Sequence, residues 1–231
     1  MTASAKPIVI VGAGETADIA YEYFTVDSDR EVVAFAAERA FLPAEAEGLG
    51  GLPYVALEDL TQTHPPSQVE TFVALSSTWL NRLRARLFRQ VKSHGYTCAS
   101  FVSPHAFVWR NVTIGENSFV FENNVLQHHV SVGENVVLWS GNHIGHRTVI
   151  EDHVFVSSHV VVSGFCRIGS SAFMGVNATV GDNITIGADS VVGAGAVVVK
   201  DLPPRGVYVG SPAKATGGDP FDSFTVPAEL R

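Results

Sequence analysis

Residues 168–198 read IGSSAFMGVNATVGDNITIGADSVVGAGAVV, and every sixth residue from Ile168 to Val198 is aliphatic or Met. The same spacing extends back to Val102, so that all seventeen positions are Val, Ile, Leu or Met. If such residues fill about a third of the segment, the chance of this run is on the order of one in ten million or less, even after allowing six phases. The spacing is therefore a structural repeat.

A period of six residues with one aliphatic residue predicts a triangular parallel β-coil, in which each repeat supplies one short strand and one corner. Three repeats make a turn of eighteen residues, so the segment predicts about five coils. The aliphatic residue fills the narrow interior, and the small residue that usually follows four positions later fits beside it. The residue directly after the aliphatic one is Gly eight times, and we interpret these glycines as allowing the tight corners.

Residues 7–97 have a different pattern. PIVIVGAG, EVVAFAA and TFVALSS are predicted strands, while ETADIAYEYF and TWLNRLRARLFRQVKSHGY are predicted helices because their apolar residues recur at helical spacing. We predict an α/β N-terminal Rossmann-like half-domain over residues 1–98 and a parallel β-helix of hexapeptide repeats over 99–200. Residues 201–231 form a C-terminal strand and a tail that is expected to fray or to dock on a neighbouring subunit.

The composition limits the classes of function. The 231 residues carry a formal net charge of −8, which argues against a nucleic-acid or anionic-membrane surface, because either requires a basic patch. No apolar run reaches the roughly eighteen residues of a membrane span, and we expect a cytoplasmic protein. Cys98 and Cys166 predict no disulfide framework. Cys166 lies at an inward position of the repeat and is interpreted as packing.

The stretch SGNHIGHRTVIEDH, Ser140–His153, contains three of the nine histidines. The repeat places His146 two residues after an interior position, so that it points outward, with His128 one coil below it and Gly164 one coil above it. The stretch admits three interpretations: an exposed polar stripe, a zinc site formed by His128, His143 and His146, or a general base at His146. His143 directly precedes an interior residue and is a predicted substrate contact.

The turn VGAGETA follows the first predicted strand and precedes the first helix. Gly12, Gly14 and Ala17 fit the dinucleotide pattern G-x-G-x-x-A, but a domain of about ninety residues is half of a full dinucleotide fold. A nucleotide-sugar diphosphate uses the same helix N-terminal amides, which places Glu15 and Thr16 near the nucleotide or the sugar. A tight turn without a ligand stays open as well.

The order of parts resembles the sialic-acid O-acetyltransferase-like family of hexapeptide-repeat acyltransferases, which includes bacterial N-acetyltransferases for nucleotide-linked amino sugars. The most specific segments are GNHIGH (residues 141–146) and GVYVGSPAK (residues 206–214). The resemblance implies a left-handed coil, acetyl-CoA as co-substrate, no metal, and a homotrimer whose active sites lie between subunits. It also implies that His146 is the catalytic base and that coenzyme-A contacts lie at Gly164, Val176 and Ala194. The N–H of Gly164 is the predicted oxyanion donor.

The sequence departs from the family in three places. Arg147 stands where the bacillosamine-pathway enzyme has a glutamate, and because arginine only donates hydrogen bonds, the group that orients His146 is left open. Phe155 aligns with a second histidine of that enzyme, so this role is vacant or has moved to His159. Glu38 is the only carboxylate near the end of the second strand, which leaves the identity of the nucleotide open.

We therefore expect direct acetyl transfer, without an acyl-enzyme, to the amine of a nucleotide-linked amino-deoxy sugar in surface-polysaccharide synthesis. A sugar O-acetyltransferase is the alternative within the same class. A zinc-dependent lyase resembling the γ-class carbonic anhydrases and a non-catalytic nucleotide-sugar-binding scaffold are the alternatives from other classes.

Overall fold

A computed structural model describes residues 6–44 and 48–231 of the chain. The chain divides into two compact units, Met1–Ser76 with Arg86–Ser100, and Ser77–Ala85 with Phe101–Arg231. Among the described residues, no helix is both long and apolar enough to cross a membrane.

The first unit is a parallel α/β sheet with strand order β3-β2-β1-β4. Its elements are β1 (Ile8–Val11), α1 (Glu15–Val26), β2 (Val32–Ala37), β3 (Tyr54–Ala56), α2 (Leu60–Thr63) and β4 (Glu70–Val73), with 3-10 turns at Arg39–Phe41, Leu49–Gly51 and Leu57–Asp59. Helix α3 (Arg82–Ser93) begins in the second unit and belongs to the first from Arg86 onward. All four residues of β1 are buried, as expected for the central strand of a parallel sheet that is covered on both faces. The predicted α/β half-domain fold is confirmed, and β3 is a strand that the sequence pattern missed.

Helix α3 begins later than the sequence predicted. The preceding residues Trp79, Leu80 and Asn81 have φ values of 53°, 49° and 65°, a left-handed turn that no helix can include. Leu80 is fully buried in a cluster with Val191 and Phe221 of the same unit. This burial stabilises the turn, because the apolar side chain that looked like part of the helix packs on the coil instead.

The second unit is the predicted coil, a left-handed parallel β-helix. Its strands are β5 (Phe101–Val102), β6 (Phe107–Val108), β7 (Thr113–Ile114), β8 (Phe119–Val120), β9 (Val125–Leu126), β10 (Ser131–Val132), β11 (Val137–Leu138), β12 (His143–Ile144), β13 (Val149–Ile150), β14 (Phe155–Val156), β15 (Val161–Val162), β16 (Arg167–Ile168), β17 (Phe173–Met174), β18 (Thr179–Val180), β19 (Thr185–Ile186), β20 (Val191–Val192) and β21 (Val197–Val198).

The strands form three faces. The first face contains β5, β8, β11, β14, β17 and β20, the second contains β6, β9, β12, β15, β18 and β21, and the third contains β7, β10, β13, β16 and β19. Each strand from β5 to β18 pairs in parallel with the strand eighteen residues later, for example His143 with Val161. The second residue of every strand is the aliphatic residue of the repeat. From Val120 to Val198 these residues are at most 3% exposed, so the predicted interior is confirmed.

The glycines of the repeat have a different role from the predicted one. A positive φ occurs at every sixth residue from Asn117 to Gly195, three positions after the interior residue, and twelve of these fourteen corner residues are not glycine. Six of the eight glycines that directly follow interior residues allow close approach of neighbouring backbone instead, the exceptions being Gly181 and Gly193. A Cβ on Gly115 would lie 2.6 Å from a backbone carbonyl carbon of the next coil, and one on Gly145 would lie 2.5 Å from such an atom.

The C-terminal segment covers the first face of its own coil. Strands β22 (Val207–Val209) and β23 (Lys214–Ala215) extend that face, and helix α4 (Pro220–Ser223) is followed by a 3-10 turn at Ala228–Leu230. Phe221 and Val226 are buried against Val191. The prediction that the tail frays or docks on a neighbour was therefore wrong, because its aromatic residues bury an apolar face within the same chain.

The three faces differ in chemistry. The outward residues of the third face are mostly polar, with Thr113, Arg167 and Thr185 exposed. The second face keeps large apolar side chains in contact with solvent. Its outward residues and its two corners include Phe107, Trp109, Val161, Phe165, Val176 and Val199, all between 40% and 63% exposed. An apolar surface of this kind marks a site of association or ligand binding.

Candidate active site

His146 lies at the corner that follows β12, beside the second face, and its side chain is half-buried. Its backbone N–H donates to the side-chain oxygen Oε1 of Gln127 at 2.9 Å, and its ring atom Nδ1 lies 3.3 Å from the same oxygen. A carbonyl oxygen only accepts, so Nδ1 carries the proton in this arrangement and Nε2 presents a lone pair. The hydrogen-bond partner of His146 is therefore Gln127, which the sequence analysis missed.

Two rings pack against His146. The imidazole of His128 stacks on it, with ring centroids 5.4 Å apart and an interplanar angle of 15°. Phe165 makes an edge contact on another side, at 5.0 Å and 83°. Partial desolvation lowers the pKa of His128, and the neighbouring His146, His129 and Arg147 lower it further. The neutral form of His128 is therefore favoured beside the proposed base.

Gly164 lies one coil above His146, and the imidazole occupies the space where its side chain would be. A Cβ on Gly164 would lie 2.5 Å from Cε1 and 2.8 Å from Nε2 of His146. The N–H of Gly164 donates to Oδ1 of Asp182 at 2.9 Å. The prediction that this N–H stabilises an oxyanion is not supported, because a carboxylate already accepts its hydrogen bond.

The other predicted contacts of the coil lie around the second face. His143 is an outward residue of this face and pairs with Val125 below and Val161 above. Val176 and Ala194 are exposed and are stacked eighteen residues apart at the corner where the chain enters the second face. His146 and Gly164 lie at the corner where the chain leaves it. One face thus brings together His143 and both corner pairs.

A groove lies one coil below His146. Its lining is Phe107, Trp109, Val125, Gln127 and His128. The rings of Phe107 and Trp109 are 5.9 Å apart and are 53% and 44% exposed. The groove therefore combines an exposed aromatic pair with the residue that holds His146. No residue of this aromatic pair was singled out from the sequence.

His159 does not lie beside His146. Its ring packs over Gly141, where a Cβ would be 2.6 Å from Nδ1, and this corner is the one that carries Val176. Phe155 is buried on the first face and stacks with Phe173 at 5.6 Å. Neither His159 nor Phe155 therefore supplies a second histidine at the corner that carries His146.

The thiol of Cys166 faces the interior of the coil. Sγ donates to the carbonyl oxygen of Gly181 at 3.0 Å, and burial raises the pKa of this thiol. A thiol in such surroundings is packing rather than a nucleophile, as the sequence analysis expected.

The histidines do not form the geometry of a zinc site. Among residues 6–44 and 48–231, no group of three His, Cys, Asp or Glu side chains could hold a metal ion. His128 and His146 are stacked face to face, whereas the lone pair of an imidazole nitrogen lies in the ring plane. Parallel stacked rings cannot point their nitrogens at one ion.

The first unit holds the predicted phosphate turn at the carboxyl end of β1. A Cβ on Gly12 would lie 2.6 Å from the carbonyl oxygen of Ala74, so this position requires glycine. Gly14 is the exposed N-cap of the twelve-residue helix α1, and no atom lies within 4 Å of where its Cβ would be. Glu15 and Thr16 occupy the first turn. The helix N-terminus is thus open to a ligand.

Glu38 follows β2 but is engaged within its own unit. Arg86 donates to both carboxylate oxygens, at 2.9 Å and 2.7 Å. This hydrogen bonding lowers the pKa of Glu38. The carboxylate that the sequence analysis placed near the nucleotide is therefore held by an arginine.

Comparison with known proteins adds to this geometry. Residues 111–146 and 129–164 match the bacterial transferase hexapeptide family (six repeats). The repeats of this family therefore match the middle of the coil. A search of curated proteins found no significant match.

The chain resembles several solved structures over nearly its whole length. A histidine-to-asparagine variant of perosamine N-acetyltransferase from Caulobacter crescentus, in complex with CoA and GDP-perosamine, is 28% identical, with a TM-score of 0.83 and coverage of 93% of this chain and 99% of that chain. PerB from Caulobacter crescentus, in complex with the same two molecules, is 29% identical, with a TM-score of 0.81 and the same coverage. The acetyltransferase domain of PglB from Neisseria gonorrhoeae, in complex with acetyl coenzyme A, shares the fold at 23% identity, with a TM-score of 0.80 and coverage of 92% and 100%.

Proposed function

We propose that this protein is an acetyl-CoA-dependent N-acetyltransferase that acts on the amine of a nucleotide-linked amino sugar, with His146 as general base. The observation that carries the proposal is the arrangement of His146, whose Nδ1 faces Gln127 and whose Nε2 is kept open by Gly164. The perosamine N-acetyltransferase structures, which contain CoA and GDP-perosamine, support the choice of substrates.

The chemistry follows from the open lone pair on Nε2. The sugar amine attacks the thioester carbonyl of acetyl-CoA while Nε2 accepts a proton from the amine. The tetrahedral intermediate then collapses, the carbon–sulfur bond breaks, and the CoA thiolate takes the proton from the imidazolium. Transfer is direct, because the thiol of Cys166 is buried and hydrogen-bonded inside the coil.

The two substrates are proposed to approach His146 from opposite ends of the coil. Gly164, Val176 and Ala194 lie on later coils and form the coenzyme side. The groove with Phe107 and Trp109 lies on earlier coils, and we assign it to the acceptor sugar, because aromatic rings pack well on the apolar C–H face of a pyranose. His143 lies between the two sides as a substrate contact.

The nucleotide diphosphate is proposed to bind at the N-terminus of α1. Gly12 and Gly14 leave the backbone amides accessible there, and Glu15 and Thr16 lie near the nucleotide or the sugar. Because nucleotide sugars are made in the cytoplasm, we place the reaction there, in a pathway that builds a surface polysaccharide.

The protein is proposed to be a homotrimer with active sites between subunits. The third face is mostly polar and the C-terminal segment covers the first, whereas the second face exposes apolar residues such as Val161 and Phe165 beside His146. A second copy that packs against this face would bury them and enclose the site. Light scattering behind size-exclusion chromatography tests this assembly.

A thiol-release assay with acetyl-CoA tests the activity, using GDP-, UDP- and dTDP-linked amino sugars and mass spectrometry of the product. A product 42 Da heavier on the nitrogen is expected, and a sugar that carries only hydroxyl groups distinguishes O-acetylation. His146→Asn should lower kcat by about 10²- to 10⁴-fold without loss of the fold. Wild-type turnover by this variant would reject His146 as the base, and binding without thiol release would indicate a scaffold.

A further inference from the structure

Gln127 is the residue that fixes His146 in place. It directly follows interior Leu126, and its own backbone N–H donates to the carbonyl oxygen of Ile144 at 3.0 Å. Its side-chain oxygen faces both the backbone N–H and Nδ1 of His146. We propose that Gln127 is a positioning residue that sets the ring orientation and the tautomer of His146. This inference rests on the proposed function for its catalytic consequence.

The orientation of the Gln127 amide is determined by the backbone. The N–H of His146 needs an acceptor at 2.9 Å, so the oxygen of the amide must face it and the NH2 group must point away. The same oxygen then faces Nδ1. An amide flip would bring two donors together, and the flipped state is therefore disfavoured.

The contact is a product of the coil geometry. Glu151 makes the same contact nineteen residues before its partner, where its Oε2 accepts from the N–H of Ser170 at 2.9 Å and from the hydroxyl at 2.8 Å. In both cases the first residue, Gln127 or Glu151, directly follows an interior residue. Its partner lies on the next coil, two places after the interior residue there. The partner of Gln127 is a histidine, so the same contact also reaches the ring atom Nδ1 and sets the tautomer of the imidazole.

A neutral acceptor suits the electrostatics of this corner. His128 stacks on the ring of His146, His129 and Arg147 act electrostatically on His128, and Asp182 accepts from Gly164 above the ring. A glutamine fixes the proton on Nδ1 without adding a charge, whereas a glutamate would accept the same bonds and favour the protonated imidazole. Arg147 cannot take this role because it has no acceptor.

Two variants of Gln127 test the assignment. Gln127→Met keeps the length of the side chain and removes the acceptor, and we expect kcat to fall 10- to 100-fold while the KM for acetyl-CoA changes less than twofold. Gln127→Glu should keep most of the turnover and move the acidic limb of the kcat/KM profile to higher pH. Nitrogen-15 NMR of labelled histidine should show Nδ1–H for His146 in the wild type and a mixture of tautomers in Gln127→Met.

Glu151→Met is the control, because it removes the corresponding corner contact at a place without a histidine, together with the ion pair between Glu151 and Arg167. It should lower Tm at least as much as Gln127→Met and leave the pH profile unchanged. If Gln127→Met lowers Tm but keeps the wild-type tautomer and kcat, the assignment is overturned. The NMR measurement needs no substrate, so it tests the role of Gln127 even if the wild-type protein transfers no acetyl group to any sugar in the panel.

Discussion

The imidazole of His146 lies over the Cα of Gly164, so close that a Cβ on residue 164 would be 2.5 Å from Cε1. The φ of Gly164 is not positive, so the backbone would accept alanine, and only the ring prevents it. Gly164→Ala should push the imidazole away from its present position. A displacement of about 1 Å at a catalytic group costs about 10²-fold in rate, and we expect a loss of kcat of that order with little change in Tm.

Gly181→Ala is the control for this prediction. A Cβ there would meet a methyl group of Ile184 at 3.3 Å, with no ring in its path. Steady-state kinetics and thermal unfolding of both variants separate a local displacement from a loss of fold. Unchanged kcat in Gly164→Ala would show that the position of the His146 ring over residue 164 does not matter for turnover.

The side chain of Trp109 is predicted to affect the binding of the acceptor substrate and not that of acetyl-CoA. Its indole is 44% exposed and pairs with Phe107 at 5.9 Å in the groove below His146. Trp109→Leu should raise the KM for the nucleotide sugar about tenfold, equivalent to about 1.4 kcal/mol, and leave the KM for acetyl-CoA unchanged. Light scattering checks the assembly, because loss of the oligomer in this variant would instead assign the indole to a subunit contact.

The repeat made the coil predictable. One aliphatic residue every sixth position is a long-range pattern that only a stacked coil satisfies, and the strands follow it from Val102 to Val198. The pattern gave the wrong reason for its glycines, because residue spacing reveals neither the φ value of a residue nor the approach of the next coil. The start of α3 was missed for a similar reason: Leu80 has helical spacing in the sequence but packs on the coil.

The site was predictable in part. The period alone places His146 outward and stacks it between His128 and Gly164, as the ring contact with His128 confirms. Gln127 could have been found only from the corner geometry, which relates residues nineteen apart. That Asp182 accepts from the N–H of Gly164 depends on a side-chain conformation, which no spacing rule reveals.

His128 should make the fold sensitive to mild acid. Its pKa in the folded protein is lowered, so the unfolded chain binds a proton at higher pH than the folded chain does. At pH values above the ordinary histidine pKa of about 6.5, the lowered pKa therefore costs no stability. The free energy of unfolding decreases as the pH falls through that value. His128→Asn should reduce this loss.

Urea unfolding of wild type and His128→Asn at pH 7.5 and pH 5.2 measures the effect as a difference between the two proteins. Glu38 also contributes, but its lowered pKa concerns a carboxylate, and its stabilisation is lost only below the ordinary glutamate pKa of about 4.3. The pH ranges in which His128 and Glu38 affect stability are therefore separate. An equal pH dependence in both proteins would show that His128 is not coupled to folding.

Arg84 should be a major contributor to the stability of the second unit. It is 1% exposed, and its guanidinium donates to the carbonyl oxygens of Asn135 at 3.2 Å and His153 at 3.1 Å. Burial lowers its pKa to about 9, so folding bears a desolvation cost that these hydrogen bonds offset.

Arg84→Met keeps much of the side-chain volume but leaves the buried carbonyls without this donor, at a cost of about 1–3 kcal/mol for each such group. Both bonds come from one nitrogen, Nη2, and Arg84→Lys should restore only part of the stability, because an ammonium is more strongly hydrated than a guanidinium and costs more to bury. Urea unfolding should therefore rank wild type above Arg84→Lys and Arg84→Met, and a methionine variant as stable as wild type would mean that the desolvation cost cancels the hydrogen bonds.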